Sequence, residues 1–162
     1  MSSDQFRENS GFPNFITILF IIQFVFFLFY WHKNQDDKYL LYFSIAIFLI
    51  GVFLAFAKMT LTMNDEWLTY SFSLFPVVKI RWKEVEHAEV LSISPIEDFA
   101  GWGIRYSAKY GWGYITNLDN GLFIRKTNGK KVVLSIKNRK AVVDFLKHKG
   151  FNSDSSEPNM NS

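Results

Sequence analysis

Two uncharged apolar segments that lie close together constrain this chain more than any other feature. The first reads FITILFIIQFVFFLFYW over residues 15–31, and the second reads YLLYFSIAIFLIGVFLAFA over residues 39–57. A helix that crosses a bilayer needs about 20 predominantly apolar residues, with about 17 as the lower limit. Both segments therefore predict transmembrane helices, and the polar loop HKNQDDK between them predicts a helical hairpin over residues 14–58.

Three other interpretations of these segments fit less well. A signal peptide would carry a basic leader and a small-residue cleavage site, but only Arg7 precedes the first segment, which ends in three aromatic residues. A buried soluble hairpin would need a larger surrounding core than the rest of the chain supplies. Interfacial helices have one polar face, which Gln23 and Ser44 do not provide.

Small residues on the second segment indicate how the hairpin packs. Gly51 and Ala55 form a small-xxx-small pair that permits close approach of another helix backbone. Gln23 of the first segment is expected to hydrogen-bond across that face, in a packing role rather than a transport role. Gln23, Gly51 and Ala55 are therefore the candidate helix-packing residues.

Charge next to the two segments leaves the orientation open. Arg7 and Lys58 lie on the side of the termini, against Lys33 and Lys38 in the loop, so the positive-inside rule does not decide. Only three of the 18 basic residues precede Lys58, and a basic C-terminal region suits an anionic cytoplasmic leaflet. We expect a multi-pass protein of the cytoplasmic (inner) membrane with both termini in the cytoplasm.

From residue 59 the pattern becomes that of short antiparallel strands. LTMNDEWLTYSF predicts a hairpin, and residues 104–110 alternate as a half-buried strand with Tyr106 and Tyr110 on one face. Asn120–Gly121 predicts a turn, and Asn128–Gly129 predicts a two-residue hairpin with positive φ at both positions. The buried face of that hairpin stays open, because two sets of apolar residues compete for it: Leu122, Ile124 and Val133 against Phe123, Val132, Leu134 and Ile136.

One amphipathic helix follows the strands. NRKAVVDFLKHKG has Asn138 as the expected N-cap and Gly150 as the expected terminator, with an apolar stripe of Val142, Phe145 and Leu146. The polar ends of the chain, residues 1–13 and 152–162, are predicted to be disordered.

Several stretches together resemble a known family. They are KIRWKEVEHAEV, DFAGWGIRY, GWGYI and NGLFIRKTNGKKVVLSIKNRKAVVDFL. With the hairpin they resemble the bacterial membrane proteins that carry a two-helix anchor followed by a pleckstrin-homology-like (PH-like) domain, over roughly residues 14–150. The resemblance implies a membrane-anchored α+β protein, in which residues 59–151 form a cytoplasmic PH-like barrel or sandwich of about 6–7 antiparallel strands capped by one C-terminal helix. It brings no catalytic residues and no biochemical role.

The triplet Gly-Trp-Gly occurs twice, at residues 101–103 and 111–113. A phosphate-binding glycine loop leads into a helix, whereas the first triplet leads into a predicted strand. The glycines are therefore expected to bracket the strand 104–110 with bends. Trp102 and Trp112 would lie at the rims of the barrel, where packing is favoured over the alternative, contact with the membrane interface.

Residues that carry catalytic or metal chemistry are scarce. The three histidines are scattered, cysteine is absent, and neither GxSxG nor HExxH occurs. The adjacent acids Glu97 and Asp98 fit a solvated loop better than an acid/base pair. No catalytic residue, metal site or cofactor is predicted, and we expect a protein that is not an enzyme.

A basic segment, residues 125–149, supplies the candidate binding site. Lys130 and Lys131 lie on the Asn-Gly turn, and Arg139 and Lys140 lie in the first turn of the helix. These four residues are candidates for binding lipid headgroups or a protein partner; an ordinary solvated basic surface is the competing interpretation. Nucleic acid is disfavoured because exposed aromatic residues do not interleave the basic ones.

Two functions follow from these features. The first is an adaptor whose cytoplasmic domain binds membrane lipid headgroups or a protein partner. The alternative is an accessory subunit of a transport or envelope-biogenesis complex, assembled through the transmembrane hairpin with another protein or as a homo-oligomer.

Overall fold

The computed structural model describes residues 6–34, 38–73 and 75–151. The chain divides into two compact units. One is the segment Gly11–Ala57, and the other combines the chain before Gly11 with the chain from Lys58 onward. We call them the hairpin unit and the β unit.

The hairpin unit consists of two antiparallel helices, α1 (Asn14–Lys33) and α2 (Lys38–Phe56). Both predicted apolar segments are helical, and both helices are long and apolar enough to cross a membrane. Aromatic rings fill part of their contact, as where the ring centroids of Phe24 and Phe48 lie 4.8 Å apart. Most apolar side chains of the two helices are nevertheless exposed, which is compatible with helices that cross a membrane.

A strand at the N-terminal end differs from the prediction. Disorder was predicted over residues 1–13, but Phe6–Gly11 form β1, the edge strand next to the first strand after the hairpin. The Thr60 hydroxyl donates a hydrogen bond to Asn9 Oδ1 at 2.8 Å across this pair. A polar sequence forms a strand here because a sheet edge supplies its backbone partners. The first five residues and the tail 152–162 lie outside the described residues.

The first sheet of the β unit follows the predicted hairpin pattern. The Asn64 side chain shapes the turn by accepting hydrogen bonds from the backbone N–H groups of Glu66 and Trp67, at 3.0 and 2.7 Å. Alternation buries every second residue, so that Met59, Leu61 and Met63 face the core. The sheet has the order β1-β2-β3-β4, with β2 at Lys58–Met63, β3 at Trp67–Phe72 and β4 at Val78–Arg81.

The second sheet is mixed rather than antiparallel. Its order is β5-β8-β9-β7-β6, and β7 pairs with β9 in parallel while the other pairs are antiparallel. The segment predicted to form 6–7 antiparallel strands forms eight, β2 to β9, and one of their pairings is parallel; with β1, the described residues form nine strands in two sheets. Strand β9 lies between its antiparallel partner β8 and its parallel partner β7. The strands are β5 Val85–Ser92, β6 Gly103–Ser107, β7 Gly111–Ile115, β8 Asn120–Lys126 and β9 Lys131–Ser135.

The second Gly-Trp-Gly triplet is part of a strand instead of a bracket. The predicted strand 104–110 ends at Ser107, and the chain turns so that β7 pairs with β6. Tyr106 is exposed and Ser107 is buried, the reverse of the predicted faces. Gly113 lies against the ring of Phe99, where a Cβ atom would come within 2.5 Å of Phe99 Cε1. Close packing, more than turn geometry, therefore explains this glycine.

Of the two predicted turns, one is wrong and one is partly right. Asn120–Gly121 begin β8 rather than forming a turn, and a Cβ atom on Gly121 would lie 2.9 Å from Val133 Cγ1. Asn128–Gly129 do connect β8 and β9, but positive φ occurs at Gly129 only (+78°). The loop holds three residues between the paired Lys126 and Lys130, which fits a type I turn followed by a left-handed glycine.

Both faces of the β8–β9 hairpin are buried. The sequence pattern left open which of the two faces is buried, and the structure shows that both are. Phe123 and Val133 belong to a cluster with Leu91, Ile93, Phe99 and Ile115. Leu122, Ile124 and Leu134, on the opposite face, are fully buried as well. Strands β8 and β9 therefore lie inside the β unit, and both competing sets of apolar residues belong to its core.

A short helix and a longer one complete the β unit. The helix α3 (Pro95–Phe99) carries Phe99 into the cluster just described. The helix α4 (Arg139–His148) begins as predicted, because Asn138 Oδ1 accepts the backbone N–H of Ala141 at 3.1 Å. It ends at His148, and Gly150, the predicted terminator, follows two residues later with a φ of +82°.

Both ends of α4 are tied to the first sheet. Glu8 of β1 accepts the backbone N–H groups of Lys137 and Asn138, at 2.9 and 3.1 Å. At the other end, the Lys149 ammonium contacts Asp65 Oδ1 at 2.7 Å. This hydrogen bond and the adjacent positive charge lower the pKa of the Asp65 carboxyl.

Candidate functional site

A groove opens between the two sheets, where β4, β6 and β7 leave the sandwich incompletely closed. Its volume is about 430 Å³, and aromatic, aliphatic and lysine side chains line it. Among the described residues, no acidic side chain lines this groove. The lining residues are Tyr70, Val78, Ile80, Ile104, Trp112, Tyr114, Lys126, Lys130, Lys131 and Val132. We call this feature the inter-sheet groove.

Two tyrosines join the sheets at the base of the groove. The rings of Tyr70 on β3 and Tyr114 on β7 lie 4.7 Å apart at an interplanar angle of 68°, an edge-to-face contact. Burial, then the electrostatic interaction with Tyr114 and the hydrogen bond to its hydroxyl, raise the pKa of Tyr70 above its ordinary value. The two phenol groups place hydroxyls, which can donate and accept hydrogen bonds, at the base of the groove.

An exposed aromatic pair adjoins the groove through Trp112, which is one of its lining residues. Tyr106 and Trp112 are cross-strand partners on β6 and β7, with ring centroids 5.6 Å apart at 73°. Tyr106 is 66% exposed and Trp112 is 55% exposed. Amphipathic rings of this kind favour the headgroup region of a bilayer, and they leave a large apolar surface next to the lysines.

The β8–β9 turn brings lysines to the groove. Lys126 is paired with Glu84, whose Oε2 lies 3.0 Å from the ammonium nitrogen. Lys130 and Lys131 form no ion pair within the described part of the chain, and both are exposed. The backbone N–H of Lys130 donates to Asn128 Oδ1 at 3.1 Å, which stabilises the turn that carries these side chains. Lys130 and Lys131 therefore supply uncompensated positive charge at the groove.

The other two predicted basic residues lie elsewhere. Arg139 and Lys140 begin α4, where the Arg139 guanidinium donates to Asn120 Oδ1 at 3.0 Å. Asn120 is the first residue of β8, whereas Lys130 and Lys131 adjoin its last residue. A seven-residue strand separates its ends by about 20 Å. The predicted basic face is thus two separate sites, and only Lys130 and Lys131 accompany the groove.

The two tryptophans that are candidates for an interfacial role differ in exposure. Trp112 is exposed at the groove, but Trp102 is partly buried and packs against the cluster that contains Phe99. The backbone carbonyl of Trp102 accepts a hydrogen bond from Arg105 Nε at 2.9 Å. Packing, the role that the sequence favours for both rings, is therefore what the partly buried Trp102 shows, whereas Trp112 is exposed at the groove.

The helix-packing residues of the hairpin unit behave differently from one another. Gly51 is buried, and a Cβ atom there would lie 2.9 Å from Cβ of Phe20 on α1, so close approach of the helices requires this glycine. Ala55 is exposed and lines an apolar groove of about 190 Å³ on the hairpin. Gln23 is exposed too, and within the described residues its side chain forms no hydrogen bond to α2, which differs from the prediction.

Sequence reasoning missed most of the groove. Tyr70, Tyr114 and Ile80 come from three strands of two sheets, and their alternation marks them only as inward-facing. The Lys130–Lys131 pair on a turn was the one local signal. The exposed ring of Trp112 lies at the same groove as these lysines. The absence of exposed aromatic residues among the basic ones, which disfavours nucleic acid in the sequence, therefore does not hold at this groove.

The arrangement suits binding of an anion with an apolar body. Lysines contribute positive charge, tyrosines contribute hydroxyl groups, and aliphatic side chains complete the walls. Within the described ranges, no group of three or more His, Cys, Asp or Glu residues could hold a metal ion. No protein-family model, no curated protein and no solved structure matches this chain.

Proposed function

We propose that this chain is a membrane-anchored adaptor whose β unit binds anionic phospholipid headgroups in the inter-sheet groove. In this proposal α1 and α2 cross the cytoplasmic membrane, and the β unit is a PH-like domain on the cytoplasmic side. The observation that carries the proposal is the meeting of Lys130, Lys131 and Trp112 at one groove.

Chain connectivity supports a two-pass anchor. The chain enters the hairpin from β1 and leaves it into β2, and these strands are neighbours in one sheet. A hairpin that crosses the bilayer twice returns the chain to the side where it began. Two crossings therefore fit a sheet that contains strands from before and after the hairpin, whereas one crossing would separate the strands.

The PH-like assignment is supported by architecture alone. Two packed sheets followed by a C-terminal helix are compatible with an open sandwich of that kind. The parallel pairing of β7 with β9 departs from the antiparallel pattern that the family resemblance implies. The proposed lipid site depends on the groove and does not depend on this assignment.

The chemistry of the groove favours a phospholipid headgroup. Each basic residue near an anionic leaflet contributes about 1 kcal/mol of attraction, and a groove of 430 Å³ is within the size range of small-ligand sites. Trp112 and Tyr106 would lie among the headgroups beside the bound lipid. Weak intrinsic affinity suffices, because the anchor holds the β unit at a high effective concentration of lipid.

Native mass spectrometry of the full chain in mild detergent tests this site. The detergent contains equal amounts of phosphatidylglycerol and phosphatidylcholine. We expect the parent to retain phosphatidylglycerol preferentially, and the double substitution Lys130→Gln/Lys131→Gln to lose most of this preference. Raising the salt concentration should weaken it as well, since exposed charges are screened over about 8 Å at physiological ionic strength.

A matched control separates site binding from net charge. Lys137→Gln/Lys140→Gln removes the same charge from exposed positions at the start of α4, and it should leave the preference intact. Equal loss in both variants would show non-specific attraction, and no loss in either would overturn the proposal. Displacement of the lipid by a short oligonucleotide, but not by inorganic phosphate, would favour nucleic acid as the ligand.

A further inference from the structure

Gln23 places a primary amide on an exposed side of α1 near the middle of the helix. The helix spans Asn14–Lys33, so Gln23 is about as far from either end as its length allows. It is exposed, and among the described residues its side chain forms no hydrogen bond. In hydrocarbon, an amide without a partner costs several kcal/mol, so this position calls for a polar group from outside the hairpin.

The hairpin itself cannot supply that group. Its one buried polar side chain among the described residues is Ser44, whose hydroxyl donates to the Leu40 carbonyl of its own helix at 2.7 Å. Aromatic rings occupy the contact near Gln23, where Phe27 and Phe43 are in edge-to-face contact with their centroids 4.9 Å apart. Gln23 is exposed, so the contact between α1 and α2 does not enclose its amide.

The residues around Gln23 form a second apolar stripe with heptad spacing. Leu19, Gln23, Phe26 and Tyr30 are separated by four, three and four residues, which places them along one side of the helix. All four are exposed. Left-handed helix pairs use contact surfaces with this spacing, and one polar residue within such a surface fixes register and partner number. The exposed residues Ile18 and Val25 are also seven residues apart, so Gln23 is what distinguishes this stripe from its neighbour.

We propose that two copies of this chain associate through the stripe Leu19, Gln23, Phe26 and Tyr30, with the Gln23 amides bonded to each other. A second copy inserted in the same orientation carries its own Gln23 at the same depth. An amide donates and accepts hydrogen bonds, so a two-fold axis allows two reciprocal bonds. The inference rests on the membrane-spanning part of the proposed function and is independent of headgroup binding.

The test uses the full chain in lipid bilayers. Because the sequence contains no cysteine, single substitutions give clean disulfide cross-linking. Leu19→Cys and Phe26→Cys should cross-link rapidly on oxidation. Ile18→Cys and Val25→Cys are matched controls, equally exposed at 55% and 58% but on another side of α1, and should cross-link much more slowly. Equal cross-linking at the two pairs of positions would overturn the proposed interface.

The role of the amide is measured by energy transfer between labelled chains over a range of protein-to-lipid ratios. Gln23→Leu should weaken association about 3- to 30-fold, the range expected for loss of interhelical hydrogen bonds in membranes. Gln23→Asn, which keeps the amide, should retain part of the association that Gln23→Leu loses. Unchanged association in Gln23→Leu, or a parent that stays monomeric at every ratio, would overturn the proposal.

Failure of this inference can be distinguished from failure of the proposed function. Extraction of the chain by alkaline carbonate would show that the hairpin does not span the membrane, which removes the basis of both. An inserted chain that stays monomeric contradicts the dimer only, and the lipid preference of the groove is measured separately.

Discussion

The rings of Tyr70 and Tyr114 meet 4.7 Å apart at 68° and connect the two sheets of the β unit. One ring comes from a strand of the first sheet and the other from the parallel-paired strand of the second. Their contact forms the base of the inter-sheet groove. The stability of the β unit and the shape of its candidate site therefore depend on the same pair.

This pair predicts a specific response to alkaline pH. Because the pKa of Tyr70 is raised in the folded state, the folded chain keeps a proton that the unfolded chain loses near pH 10. The stability that this group contributes is complete below about pH 10 and falls as the pH rises towards the folded-state pKa. Tyr70→Phe should cost about 1 kcal/mol at neutral pH and flatten the decline of unfolding free energy above pH 10. Denaturant unfolding at several pH values checks this, and an equally steep decline in Tyr70→Phe would contradict it.

Gly113 should tolerate alanine less well than Gly129. Alanine at 113 places a methyl group 2.5 Å from Phe99 Cε1, and overpacking of this kind costs about 1–3 kcal/mol or more. Alanine at 129 meets no atom within 4 Å, so its cost is the left-handed backbone, about 1–2 kcal/mol. Combining Gly113→Ala with Phe99→Leu should recover part of the loss, whereas additive effects in that double variant would rule out the proposed clash.

Glu8 should stabilise the start of α4 from a distant part of the chain. Its carboxylate accepts the backbone N–H groups of Lys137 and Asn138, so Glu8→Ala should lower the unfolding free energy by about 1 kcal/mol. Hydrogen exchange should accelerate at those two amides in particular. Asp144→Asn, an exposed change within the same helix, should leave the exchange of both amides unaltered, and an equal effect of both substitutions would argue against the contact.

The β unit should need its N-terminal strand. Gly11 and Ala57 are close, with the Ala57 carbonyl oxygen 3.6 Å from the position of a Gly11 Cβ atom. A short Gly-Ser linker in place of residues 11–57 should therefore join β1 to β2 and yield a folded soluble domain. A chain that starts at Lys58 exposes the edge of β2 and should unfold at a lower temperature and aggregate more readily. Equal melting temperatures would show that β1 contributes little.

Single cysteines test the predicted topology. Asn34→Cys, in the loop of the hairpin, should react with a membrane-impermeant maleimide on intact cells. Lys83→Cys, an exposed position in the β unit, should react only after permeabilisation. The reverse pattern would keep the hairpin and invert its orientation, and reaction of both from outside would contradict two membrane crossings.

Local features of the chain could be predicted because their causes are local. The two apolar helices follow from length and hydrophobicity, and the ends of α4 follow from Asn138 and Gly150. The left-handed residue of the β8–β9 turn follows from Gly129. In each case, interactions within a few residues determine the conformation.

The β unit and its candidate site depended on contacts between distant segments. The polar strand β1 is ordered by partners such as Thr60, which is 51 residues from its hydrogen-bond partner Asn9. No local sequence pattern predicts such a strand. Gly113 and Gly121 serve packing between strands rather than turns. The basic residues that are near in sequence separate because β9 lies between the turn at Lys130 and the helix at Arg139. Tyr70 and Tyr114 meet because hydrophobic burial packs two sheets together, and that packing, which no single segment encodes, creates the groove.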